Sequence, residues 1–175
     1  MYHLLKNLVE YVFLTVFLFI VQILISYILP YPFNQVNFIF IFFLWKVVYQ
    51  DKLLYLWLII PTYFIFSLFT SVSFGVLGLT IFCSIILAKQ IFLIWFSTYS
   101  WYSFFLLGLV GFSLNYAFLT FFTALVPLLF GDRVSYQVSE IYYLLIEIFL
   151  NAACFFLFYG TYNILKPRRK YNYTF

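Results

Sequence analysis

The sequence predicts an all-α, polytopic integral membrane protein, a bundle of six transmembrane helices, and three observations predict it. The chain of 175 residues is 67% hydrophobic and only 8% charged, with a mean hydropathy of +1.09. A water-soluble domain carries roughly a quarter charged residues. The apolar residues form long continuous runs, near the length of about 20 residues that a helix needs to cross the hydrocarbon core. Finally, the basic residues sort to one side of the membrane once six crossings are drawn.

The six predicted spans are 8–29, 34–50, 53–71, 74–96, 101–129 and 139–164. The breaks are "LPYPFNQ", "YQDK", "TSVSFG", "FSTYS" and "FGDRVSYQVS", rich in turn formers or charge. The second run is short, and the fifth is long enough to tilt or to end in an interfacial turn near Pro127. Spans three and four are divided only by a polar break and Gly75, which predicts a tight helical hairpin. Continuous rather than alternating apolarity argues against a β-barrel. The first span is too long for a signal-peptide core and lacks a small-residue cleavage site, so no removable leader is expected.

Six spans place Lys6, Lys46, Lys52, Lys89, Lys166, Arg168, Arg169 and Lys170 on one side and only Arg133 on the other. That asymmetry predicts both termini in the cytoplasm. The organisation is then one transmembrane domain over 1–165 and a basic cytoplasmic tail over 166–175. The tail "KPRRKYNYTF" reads as a topology determinant that also suits anionic membrane lipids. No nucleic-acid partner is expected, and oligomeric state is not encoded in any visible pattern.

Few residues offer chemistry. The acids are Glu10, Asp51, Asp132, Glu140 and Glu147, and His3 is the single histidine. Cys83 and Cys154 lie in different spans without a CxxC pattern or a histidine neighbour, so no metal site is expected. There is no Gly-rich phosphate loop, HExxH or GxSxG. Membrane hydrolases need cooperating polar groups near one interface, and Asp132 and Glu140 read as loop and helix-start acids. The expectation is a non-enzymatic protein without a cofactor.

The informative residues are polar groups within the spans: Gln22, Ser67, Asn115, and the pair Glu147 and Asn151, which share a helical face. Intramembrane polar groups are costly without partners and so face protein or water. Small residues accompany them. Gly108, Gly111 and Asn115 line one side of span five, and Ala152 follows Asn151 in span six. Small residues let membrane helices approach closely, so spans five and six are expected to pack through these faces. The expected partners of Glu147 and Asn151 are the other deep amides, Gln22 and Asn115. Two roles stay open for Glu147: a packing group, or a proton-coupling one.

Several segments resemble the MreD family, small multi-span subunits of the bacterial cell-elongation machinery. "FIVQILIS" resembles that family's first helix with its single glutamine, here Gln22, and "PFNQVNFIFIFFLW" resembles the segment opening span two. "YFIFSLFTSVSFGVLGLTIF" resembles the hairpin between spans three and four, carried by Ser67, Ser71, Ser73, Gly75 and Leu79. "LNAACFFLFYGTYNILKPRRK" resembles the last span and its basic end. Ser67 stands where family members usually carry an acid, and "LIIPTY" replaces preceding glycines.

The resemblance implies a membrane scaffold coupling peptidoglycan synthesis to cell shape in the bacterial cytoplasmic membrane. The implied partners are an MreC-like bitopic protein, MreB, and the RodA–penicillin-binding-protein synthase. It also implies a bundle like that of the substrate-binding S-components of energy-coupling-factor vitamin transporters, which form the rival functional reading. S-components commonly carry an alanine-spaced docking face on span one. This chain has no alanine between Met1 and Leu87.

Overall fold

A computed structural model of the chain describes residues 2–49, 54–68, 75–95, 101–130 and 141–165. Every regular element among them is helical. Helix α1 runs Tyr2–Ile28, a short 3-10 turn covers Phe33–Gln35, and α2 runs Phe38–Leu44 and continues as a π-turn, Trp45–Tyr49. Helices α3, Leu54–Ser67, α4, Val76–Trp95, α5, Trp101–Phe130, and α6, Ile141–Leu165, follow. Four stretches are long and apolar enough to cross a membrane: Glu10–Ile28, Val76–Trp95, Tyr102–Leu125 and Tyr142–Tyr162. Two apolar helices, Phe38–Val48 and Tyr55–Ser67, are shorter.

The helix starts follow local chemistry. Asn37 caps α2 by accepting a hydrogen bond from the Phe40 N–H at 3.0 Å, satisfying one of the donors that every helix start leaves open. Gly75 precedes α4 with φ +83°, a left-handed conformation in which a Cβ costs about 1–2 kcal/mol. Pro61 lies inside α3, where its missing N–H removes a rung of the ladder. In the same turn the Thr62 hydroxyl donates to the Leu58 carbonyl at 2.7 Å. Pro127 does not end α5, which stays helical to Phe130.

The second span differs from its sequence-based boundaries. It opens at Phe38 rather than at residue 34, because residues 34–37 form the end of the 3-10 turn and an extended link. The polar break expected at "TSVS", the loop around Gly131 to Ser139 and the basic tail lie outside the described residues.

The short α2 and its π-turn occupy the middle of the bundle. Ile39, Phe40, Leu44 and Val47 are completely buried there. They touch α1, α3, α4 and α6, and the Phe40 ring lies 4.6 Å from that of Phe112 on α5. Helix α5 runs between α4 and α6, and α3 lies along α4. By contrast α1 is peripheral, the least buried of the long spans. Phe13, Phe17, Ile20 and Leu24 are exposed on it, and among its described side chains, from Glu10 onward, only Leu18 and Gln22 are buried. In a membrane such apolar exposure is the normal condition of a lipid-facing helix, since lipid tails are as apolar as the side chains.

Candidate functional site

The link from Gln35 to Phe38 raises a demand that the helices do not. Its backbone is not helical at Val36 and Asn37, and Val36 is buried in the bundle. Gln22, which touches it, lies about 9 Å inside the end of α1, and Asn151 about 15 Å past the start of α6, at 1.5 Å per helical residue. Non-helical backbone at membrane depth is tolerated only where protein or water satisfies it. Here two amide side chains do so.

Gln22 reaches the link from α1. Its Nε2 donates to the Val36 carbonyl at 3.0 Å, and its Oε1 accepts from the Phe38 N–H at 2.8 Å. From α6, Asn151 Oδ1 accepts from the Asn37 N–H at 2.8 Å, and its Nδ2 donates to the Gln35 carbonyl at 3.3 Å and to the Glu147 carbonyl at 2.9 Å. The two carboxamides act as substitute backbone, each offering one donor and one acceptor to a segment with no helical neighbours. From α3, the buried Tyr63 hydroxyl donates to Asn37 Oδ1 at 3.2 Å. Three helices thus converge on one four-residue link, and Gln22, Tyr63 and Asn151 are each under a tenth exposed.

Glu147 belongs to a second, shallower feature. Its Oε2 accepts a hydrogen bond from the Tyr116 hydroxyl of α5. One turn nearer the start of α6 lies Tyr143, whose ring meets that of Tyr31 edge-on at 5.9 Å and that of Tyr142 at the same separation. The Tyr31 phenol is held above its ordinary pKa by desolvation first, then by the negative neighbourhood of Tyr143, Glu147 and Tyr142.

The residues singled out in the sequence separate into groups. Gln22 and Asn151 meet on the same link, from opposite sides. Glu147 and Asn151 share the α6 face, but their side-chain partners are Tyr116 and the link backbone, not Gln22 and Asn115 as expected. Asn115 Oδ1 is buried without a donor among the described residues. Ser67 is buried, and its hydroxyl donates to the Phe64 carbonyl of its own helix. Gly75 stands apart, at the start of α4.

Gly108 and Gly111 do not serve the same contact. A Cβ on Gly108 would lie 3.2 Å from the Ala152 Cα, whereas one on Gly111 would lie 3.1 Å from Leu44 Cδ2. Gly108 and Ala152 therefore set the α5–α6 approach, and Gly111 admits the central helix α2.

Sequence reading missed Asn37, Tyr63 and Tyr116. Asn37 carried a usable signal, an Asn immediately before an apolar run. The two tyrosines are hidden among 17 in the chain. Among the described residues no group of three or more His, Cys, Asp or Glu side chains comes together to hold a metal ion. No protein-family model, curated protein or solved structure matches this chain.

The role of Glu147 gives a direct prediction. Glu147→Gln keeps an acceptor for Tyr116 and is expected to leave folding and assembly intact. Glu147→Leu loses that acceptor and is expected to lower stability by about 0.6–2 kcal/mol, the range of interhelical hydrogen bonds in membranes. Denaturant titration of the purified variants measures both. A Glu147→Gln protein that folds and assembles normally but has lost function in a complementation assay would overturn the packing role, because only the ionisable proton and its charge have been removed.

Proposed function

We propose that this chain is a non-enzymatic scaffold of the bacterial cytoplasmic membrane. In this reading it crosses the bilayer six times with both termini in the cytoplasm and works through protein partners, as the resemblance to MreD implies. The observation that carries the proposal is the use made of the deep polar side chains. Gln22, Asn151 and Tyr63 end on the chain's own link, so the amides that would otherwise mark a substrate path serve architecture. A rigid centre and a periphery of apolar helices suit a protein that presents surfaces to other membrane proteins.

The partners proposed are an MreC-like bitopic protein, MreB and the RodA–penicillin-binding-protein synthase. Affinity purification in mild detergent is expected to recover them and to recover no vitamin. A bound riboflavin, thiamine or biotin, or a marked rise in melting temperature with one of them, would overturn the scaffold reading in favour of an S-component, because ligand binding stabilises a fold by mass action. For topology, single cysteines placed at Lys170 and Gln137 are expected to label from opposite sides of the membrane. Labelling of both from one side would rule out six crossings.

A further inference from the structure

Where the loop after α1 meets the first turns of α6, the bundle carries a carboxyl group that the link does not use. Tyr143 and Glu147 stand one turn apart on the α6 face that also bears Asn151. Tyr31 packs edge-on to Tyr143, and Tyr31, Tyr142 and Tyr143 are 49%, 68% and 42% exposed. A carboxylate offers roughly four acceptor positions, and among the described residues the Glu147 side chain receives one hydrogen bond, from Tyr116.

The Glu147 carboxylate therefore keeps acceptor capacity beside aromatic rings whose faces are electronegative. A guest that suits it supplies N–H donors and positive charge. One carboxyl group is poor provision for a divalent metal, which takes about six or more oxygen ligands. It matches an ammonium group, which brings three donors and gains from aromatic faces. We propose that this rim binds an organic primary ammonium, either the headgroup of an aminolipid or a free amine, with Glu147 as counter-ion and Tyr31 and Tyr143 as its aromatic walls. This goes beyond the scaffold reading and does not depend on it.

The test uses the full-length purified protein and native mass spectrometry. Phosphatidylethanolamine and phosphatidylglycerol of matched chains are offered in equal amount, and ethanolamine is titrated separately. The expected result is preferential retention of the ethanolamine lipid, reduced to the phosphatidylglycerol level in Glu147→Gln. Tyr143→Leu, at a position 42% exposed, is expected to fold and to weaken retention by roughly two- to fivefold, the equivalent of an exposed cation–π contact. Displacement of the lipid by millimolar ethanolamine would assign a soluble amine, and persistence of the lipid would assign the headgroup; both support an ammonium site. Equal retention of the two lipids by the native protein, or undiminished preference in both variants, overturns it.

Discussion

Replacing Asn151 with leucine is expected to destabilise the bundle more than any polar substitution that leaves the link's backbone bonded. The side chains are similar in size, so the effect isolates hydrogen bonding. The change strands the Asn37 N–H and the Gln35 carbonyl, two backbone groups with no helical partner. A stranded buried group costs about 1–3 kcal/mol; Asn37 is half-buried and Gln35 is exposed, so the total is expected at roughly 2–4 kcal/mol. That exceeds the ~0.6–1.7 kcal/mol typical of one interhelical bond in a membrane, because the link cannot find substitutes by rotating a side chain. Gln22→Leu strands the Val36 carbonyl and the Phe38 N–H and is expected to behave alike. In the double variant the losses should sum to less than the two singles, since both amides hold the same short link. Unfolding of the three variants in detergent measures the cycle. Strict additivity with small single effects would mean that the link is not a unit.

The second large effect is expected at Gly108. Its missing Cβ is what lets α5 lie against α6, with the Ala152 Cα only 3.2 Å from where a Cβ would stand. A backbone atom cannot rotate away, so even alanine must push the helices apart, and overpacking of this kind costs about 1–3 kcal/mol. Leucine at Gly108 should prevent assembly of a native bundle. Gly111→Ala meets instead the Cδ2 of Leu44 at 3.1 Å, the end of a side chain that can shift, and should be milder. At Gly160 an added Cβ would meet nothing within 4 Å; alanine there should be neutral or stabilising by about 0.5–1 kcal/mol. Melting temperatures of Gly108→Ala, Gly111→Ala and Gly160→Ala should therefore rise in that order. A Gly108→Ala protein as stable as the parent would show that α5 and α6 are held less closely than their geometry implies.

The contrast between these glycines shows what the sequence could and could not reveal. Apolar length alone identifies α1, α4, α5 and α6, because a helix is the economical way to satisfy backbone in lipid. The small residues of spans five and six point correctly to close packing. Spacing does not reveal that Gly108 and Gly111, three residues apart, serve different neighbours. The link was harder still. Pro30 and Pro32 mark a break, but the sequence does not show that the chain turns back into the bundle before α2 begins. Without that return, Gln22 and Asn151 have no backbone to satisfy, and pairing them with other amides is the natural expectation. Polar demand inside a membrane is created by backbone irregularity, and irregularity depends on tertiary path.

The short central helix also carries a consequence for how the protein is made. From Phe38 to Val48 the apolar helix is about 17 Å long at 1.5 Å per residue, little more than half of a hydrocarbon core about 30 Å thick. Its entry link is completed by Asn151, 114 residues further along the chain. A nascent chain that has inserted α1 and α2 therefore holds a half-length helix with open backbone groups until α6 is synthesised. Insertion cannot proceed helix by helix to a stable product. The early part must wait, sheltered by the insertion machinery or at the membrane surface, for the last span to close the structure, so chains that terminate after α5 should be recognised as unfinished and degraded.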